Sequence, residues 1–330
     1  MSCCLGFDTS NYRTSCALVR IGEKGAAPEI LASEGRLLTV KEGGRGLRQS
    51  EAFFQHVQAL PEILEKALAA APTAAREEIA CVAVSTRPRP VDGSYMPVFT
   101  AGQSEARAIA LALGVPVYTF SHQEGHIAAA AHGTPLAEME RFCAFHFSGG
   151  TTESLLVEKQ PAGGFQFRKI GGTLDISFGQ LLDRTGVRLG YGFPCGEALD
   201  RLALDESSPG RLLPKVRVKD GAFNLSGIEN QAEKLIGQEA PARLASALFD
   251  LIAETITACI RQAREELGIR HFLLAGGVSS SVTLRRRMAF PDDTFVYYGE
   301  PALCGDNAAG IALLGGQAYA AETGHGHTAE

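Results

Sequence analysis

Hydrophobic residues recur along this chain with two periods, and the switches between them predict its elements. Cys3 to Ile21 reads as two β-strands broken at Asp8-Thr9-Ser10-Asn11, a cluster of turn-forming polar residues, and therefore as a hairpin. Phe53, Phe54, Val57, Leu60, Leu64 and Leu68 fall at helical spacing and predict an amphipathic helix from Glu51 to Ala71, with Pro61 in its interior. A strand at Ala80 to Ser85, a helix at Val98 to Leu113 and a short strand at Pro116 to Phe120 follow. Phe142 to Phe147 and Ser154 to Val157 then predict a second hairpin, joined by Ser148-Gly149-Gly150-Thr151-Thr152. Helical periodicity returns at Leu181 to Leu189 and Ala198 to Leu204. It then runs from Ala242 to Leu267 with an apolar stripe at Leu244, Leu248, Leu251, Ile252, Ile256, Cys259 and Leu267. A strand at His271 to Ala275 leads into Gly276-Gly277-Val278-Ser279-Ser280, and Cys304-Gly305-Asp306-Asn307 opens a last helix.

Each half opens with a hairpin whose turn is rich in small hydroxyl residues. This recurrence predicts a duplicated α/β lobe, residues 1–135 and 136–322, with a cleft between the copies and a Gly- and His-rich flexible tail at 323–330. The alternative is one larger α/β sheet.

Composition narrows the classes. Hydrophobic residues at 45% and charged residues at 21% describe a chain able to bury a core. No apolar run reaches the roughly 20 residues that span a bilayer, and no basic leader opens the chain, so a cytoplasmic protein without membrane contact is expected. The eight cysteines include no CxxC pair, which predicts free buried thiols. A formal charge of -6 argues against global electrostatic attraction to nucleic acid and leaves only a local basic patch for phosphate contacts.

Several groups carry candidate chemistry. His122 and His126 are four apart and share a helix face; by itself that spacing fits either a surface pair or a pair of metal ligands. Glu124 stands in the wrong position for the base of a zincin. The turns Asp8-Thr9-Ser10 and Ser148-Gly149-Gly150-Thr151 can present amides and hydroxyls to a phosphate, or can simply be tight turns. Gly276-Gly277, between a strand and a helix, allow close approach of a ligand to the backbone. Asp306-Asn307 reads as an N-cap and Arg285-Arg286-Arg287 as a solvent-facing turn, with a phosphate contact as the lesser reading.

In this order the motifs resemble the TsaD/Gcp (threonylcarbamoyl-adenosine synthase) family. His122 to His126 is similar to its HxxGH signature, Ser148 to Thr151 to its SGGxT turn, and Asn224 to Ile228 to its FSGLK segment. Ala275 to Ser281 resembles its AGGVSxN loop, and Cys304 to Ala308 its CxDNxAM segment. The resemblance implies an α/β fold of two actin-like (ASKHA, ribonuclease H-like) lobes with a cleft between them. It implies one divalent ion, zinc or iron, on His122, His126 and Asp306, with His146 as a further ligand. It also implies an adenine nucleotide or threonylcarbamoyl-AMP held by Asp183, Gly196, Glu197 and Ser281, together with Asp8, Thr9, Ser10, Ser148, Gly149, Gly150, Thr151, Gly276 and Gly277. Ser281 stands where the family carries asparagine.

The activity implied is threonylcarbamoyl transfer from the adenylate to N6 of adenosine in tRNA, with a protein partner of the tRNA-modification pathway. No nucleophilic side chain is required. In two places the chain departs from the family: Tyr12 and Arg13 replace the adjacent acidic pair of ETSCDET, and Thr86 to Pro90 replaces a flexible GPGL loop. These changes point to a divergent paralogue, and keep open carbamoyl transfer to another acceptor or a non-catalytic nucleotide-binding regulator of a true synthase.

Overall fold

The computed structural model describes residues 2–10, 12–22, 26–39, 47–161, 163–204, 206, 211–300, 303 and 307–324. The chain divides into two compact units. The first unit holds the hairpin β1 (Cys3–Thr9) and β2 (Arg13–Arg20), then β3 (Glu29–Leu37), α1 (Gln49–Ala70), α2 (Thr73–Glu77), β4 (Ile79–Arg87), α3 (Phe99–Leu113), β5 (Val117–Ser121) and α4 (His122–Ala131). Its sheet has the order β3-β2-β1-β4-β5, antiparallel through β1–β2–β3 and parallel through β1–β4–β5.

The second unit repeats that plan. It contains β6 (Arg141–Phe147), β7 (Thr152–Lys159), β8 (Phe165–Thr173), α5 (Phe178–Arg188), α6 (Gly196–Leu204), β9 (Ala222–Phe223), α7 (Ser226–Leu235), α8 (Pro241–Leu267), β10 (His271–Ala275), α9 (Val282–Arg287) and β11 (Phe295–Tyr298). The order is β11-β10-β6-β7-β8-β9, so β6–β7 is again an antiparallel hairpin and β6–β10–β11 again parallel. The repeated strand order, rather than the turn composition alone, makes each unit an actin-like, ribonuclease H-like lobe.

The units are not contiguous in sequence. The last helix, α10 (Ala308–Thr323), expected with the second lobe, folds into the first unit, as do Lys159–Gln166. The cause is packing. Sequence alternation on β1 sends Leu5 and Phe7 to one face, where α1 and α3 cover them, and Cys4 to the other, where Ala308, Ala309, Ile311, Ala312 and Leu314 of α10 cover it. A Cβ on Gly6 would lie 2.6 Å from the Ala308 carbonyl oxygen, so the helix backbone rests almost directly on the strand.

Two expectations change in detail. Helix α1 buries Ala52, His56, Ala59, Leu60, Ile63 and Ala67, while Phe53, Phe54 and Val57 of the predicted stripe are exposed. Small alanines let this helix sit close to the sheet, and the aromatic residues turn outward. Strands β3, β8 and β11 and helix α7 were not predicted; β3 is an edge strand whose side chains are mostly half-buried or exposed, so it carries no clean period of two. The stripe of α8 is buried as expected, except that Leu267 is only partly covered. Among the described residues the seven cysteines are unbridged and buried, and no helix is long and apolar enough to cross a membrane.

Helix α7 starts where Asp175 anchors it: Oδ1 accepts from the Leu225 amide at 2.8 Å and Oδ2 from the Ser226 amide at 2.9 Å. Burial raises the Asp175 carboxyl, but the Leu225, Ser226 and Ile176 hydrogen bonds outweigh it and hold the group at about 2. A carboxyl depressed in the folded state contributes stability above its unfolded value of about 4 and loses that contribution as pH falls toward 2. Because the Asp175 carboxyl is exposed and screened by solvent, Asp175→Asn is expected to cost no more than about 1 kcal/mol near neutral pH. In denaturant titrations the gap between wild type and variant should close between about pH 4 and pH 2; a gap independent of pH would refute the assignment.

Candidate functional site

The histidine pair sits at the start of α4, and a capping box aims it. Ser121 Oγ accepts from the Glu124 amide at 3.2 Å, and Glu124 Oε2 accepts from the Ser121 amide at 2.7 Å. Glu124 Oε1 also accepts from the Phe165 amide at 3.2 Å, so this buried carboxylate is spent on structure. It is not a base.

His122 and His126 point the same nitrogens at one another, with Nε2 to Nε2 at 3.0 Å and ring centroids 4.4 Å apart. Behind them, His122 Nδ1 is 2.9 Å from Asp8 Oδ1. Asn307 Nδ2 donates to Asp8 Oδ1 at 3.1 Å and to the His122 carbonyl at 2.9 Å. Asn307 stands at the N-cap position of α10 without a side-chain capping bond; its amide is turned toward Asp8 and His122 instead. Burial raises the Asp8 carboxyl, but the charge and hydrogen bond of His122, with help from Ser85 and His126, pull it down to about 2.

The glycine of the motif has a steric role. A side chain at Gly125 would run into the Asn307 amide, and one at Gly310 would collide with the Gly125 carbonyl oxygen. Two glycines on facing helices thus bring Asn307 to the histidines.

This donor set suits a divalent cation. Two nitrogens bound to one tetrahedral ion at about 2.0–2.1 Å lie about 3.3 Å apart, close to the spacing seen, and a carboxylate behind the other ring nitrogen leaves the Nε2 lone pair for metal. Among the described residues no group of three His, Cys, Asp or Glu side chains completes a site. Asp306 lies outside the described residues. His146, on β6 of the second unit, packs beside Gly276: its Cδ2 would be 3.0 Å from a Cβ there.

The second unit holds a cavity of about 480 Å³, within the size range of small-molecule sites. Gly149, Asp183, Gly196, Glu197, Gly277 and Ser281 all line it. They come together because α5 docks against the β6–β7 turn: Ser177 Oγ donates to the Gly149 carbonyl at 2.7 Å, and a Cβ at Gly179 would lie 2.6 Å from the Ser148 carbonyl oxygen. Asp183 Oδ1 accepts from the Cys195 amide at 2.7 Å, which fixes the loop before α6. Gly276, at φ 93°, lies where any side chain would strike the Phe147 carbonyl. Ser148 Oγ accepts from the Thr151 amide at 3.1 Å and closes its own turn. Ser148, Gly150, Thr151 and Gly276 are not among the lining residues.

Four side chains expected at a nucleotide have these surroundings within the protein. Thr9 is fully buried, its hydroxyl donating to the Val98 carbonyl and accepting from the Gly102 amide, and Asp8 is buried on His122. The hydroxyl of Ser281 donates to Asp200 at 2.7 Å and accepts from the Leu284 amide at 3.1 Å, so it caps α9. Ser10 stays half-buried in the first unit with the rest of its hairpin.

Asp200 was missed. It also accepts from the Val282 and Thr283 amides, and these bonds lower its carboxyl despite burial. Its place one turn after Glu197 on α6 was the available signal. The arginine triplet is corrected too: Arg287 donates to Asp250 and to the carbonyls of Ser246 and Ala203, and Arg285 lies over Tyr298.

Comparisons bear on the whole arrangement. The family model described as tRNA N6-adenosine threonylcarbamoyltransferase matches residues 36–313. Curated proteins of that name include one from Thermus thermophilus, 32% identical over 312 residues, covering 94% of this chain and 90% of that protein. Another, from Geotalea uraniireducens, is 30% identical over 328 residues with the same coverage. Among solved structures, HypF of T. kodakarensis superposes with a TM-score of 0.62 at 14% identity, covering 98% of this chain and 48% of that one. Component A of (R)-2-hydroxyglutaryl-CoA dehydratase from Acidaminococcus fermentans gives 0.55 at 13% identity, covering 96% and 98%. At those identities the likeness is one of fold.

Proposed function

Because the chain belongs to the TsaD family of tRNA N6-adenosine threonylcarbamoyltransferases, we propose that it is an acyltransferase of tRNA modification that takes its threonylcarbamoyl group from an adenylate. The observation that supports this reading is the cavity of the second unit, lined by six of the residues that the family motifs imply for the nucleotide: Gly149, Asp183, Gly196, Glu197, Gly277 and Ser281. The adenylate would lie along Gly149, Gly196 and Gly277, whose missing side chains let it approach backbone. Asp183 keeps the loop before α6 in place beside it.

In the reaction, N6 of the tRNA adenosine attacks the carbamoyl carbonyl, the carbonyl oxygen takes up negative charge, and the bond to the phosphate oxygen breaks. AMP leaves through its phosphate oxygen, and the N6 proton passes to solvent water. His122 and His126, with Asp306, are the residues that would hold a divalent cation, which when bound supplies electrostatic stabilisation to developing negative charge. Asp8 and Asn307 orient His122 for that task. Asp8 keeps a carboxylate at the first position of the family's acidic hairpin motif, while Tyr12 is exposed and Arg13 packs against Gly35.

The test is nucleoside analysis of unmodified tRNA after incubation with the purified, metal-loaded protein and threonylcarbamoyl-adenylate, with and without cell extract. Threonylcarbamoyl-adenosine is the expected product. Its absence in both conditions, with nucleotide still bound, would overturn the reading in favour of another carbamoyl acceptor or a regulatory role.

A further inference from the structure

The overall charge of -6 hides a local concentration of the opposite sign. Between Arg211 and Lys219 the chain carries four cations and no carboxylate. Here Lys215, Arg217 and Lys219 are exposed while the intervening Val216 and Val218 are half-buried against the core of the second unit. That alternation is the signature of extended backbone, which sets successive cations about 6.6 Å apart and the row about 13 Å long.

Beside this segment runs an open groove of about 680 Å³, walled on its other side by α8 and lined by both Lys215 and Arg261. Its two carboxylates are engaged: Glu254 by Arg211 at 3.3 Å and Asp250 by Arg287 at 2.9 Å. Among the described residues Lys215, Arg217, Lys219 and Arg261 form no ion pair, and all four are exposed. The lining contains no aromatic, histidine or carboxamide side chain, so the groove offers a base no ring to stack on, and what it presents is mainly positive charge on an aliphatic floor.

We propose that this groove and its row of cations form a docking surface for the phosphate backbone of tRNA. A single small phosphate needs one or two cations, whereas a row of regularly spaced, unpaired ones matches a ligand with repeated charge. Such contacts set register and affinity and carry no sequence information, which suits an enzyme acting on one base of a folded RNA. The inference rests on the tRNA-modifying reading given above.

The experiment measures binding of an unmodified tRNA transcript to the full chain across a salt series, for wild type and for the triple variant Lys215→Glu, Arg217→Glu, Lys219→Glu. The expected result is at least a tenfold loss of affinity at low salt, with the slope of log Kd against log salt reduced by about 2. The thermal midpoint and ADP binding should stay as in wild type. If the glutamate variant does not fold, the corresponding triple glutamine variant carries the same expectation. Unchanged affinity and slope in a folded variant would overturn the proposal, as would failure of the wild-type chain to bind tRNA at low salt. Salt-dependent tRNA binding that the variant loses, in a protein that makes no threonylcarbamoyl-adenosine, would leave the docking surface standing and remove the transferase reading alone.

Discussion

His122→Ala is expected to lose bound metal and, with it, threonylcarbamoyl transfer by about 10²–10³-fold. His122 is the residue on which the site converges: its Nε2 faces His126 at 3.0 Å, its Nδ1 faces Asp8 at 2.9 Å, and its carbonyl receives the Asn307 amide at 2.9 Å. Alanine removes one of the two paired nitrogens and takes the imidazole from the buried Asp8 carboxylate, leaving it the Asn307 amide. That second effect adds a stability loss of about 1–3 kcal/mol, so elemental analysis and kinetics belong on protein shown to be folded. Metal content and transfer rate measured on the same preparation decide the matter. Full transfer in a variant without metal would sink the role given to the pair.

The largest effect on stability is expected from Gly310→Ala. A methyl group there meets the Gly125 carbonyl oxygen, which is backbone and cannot rotate away, and only a separation of α4 from α10 relieves it. Overpacking of this kind costs about 3 kcal/mol or more when the obstacle is main chain. Moving the helices apart also withdraws Asn307 from Asp8, so nucleotide binding in the second unit should survive better than metal binding in the first. Chemical denaturation gives the first quantity and metal titration the second; a variant as stable as wild type would contradict the helix contact described here.

Local spacing was enough to find the chemistry-bearing types. The period of four joined His122 to His126, and glycines between strand and helix marked Gly277 as a lining residue. Local spacing does not show the partner of a polar side chain wherever that partner is distant in sequence. Asp8 was read with Thr9 as part of a phosphate turn, yet its partners are His122 and Asn307, the latter 299 positions away. Asn307 was read as a helix cap, which is the ordinary fate of that residue type, and its amide turned out to face the histidines. Ser281 lines the cavity as its motif implies, and its hydroxyl bonds to Asp200, which no motif marks. A polar side chain bonds to whatever group lies within about 3 Å, and sequence neighbours are only some of those groups.

The same division holds for the fold. Alternation and helical periodicity determined most strands and helices, because each face of an element must match what covers it, and the twice-used hairpin announced the duplication. Which element covers which face was settled only by packing. Helix α10 is apolar nearly all round, with no polar side to say where it belongs; it joins the first unit because its glycines and alanines fit the small residues of β1, β4 and α4 at close range. In the same way the arginine triplet is solvent-facing by residue type yet largely tied inward, while Lys215, Arg217 and Lys219, which match no motif, form the exposed row. Residue type and period determine what a segment is able to do; the free energy of burying it against one particular neighbour decides which of those possibilities is used.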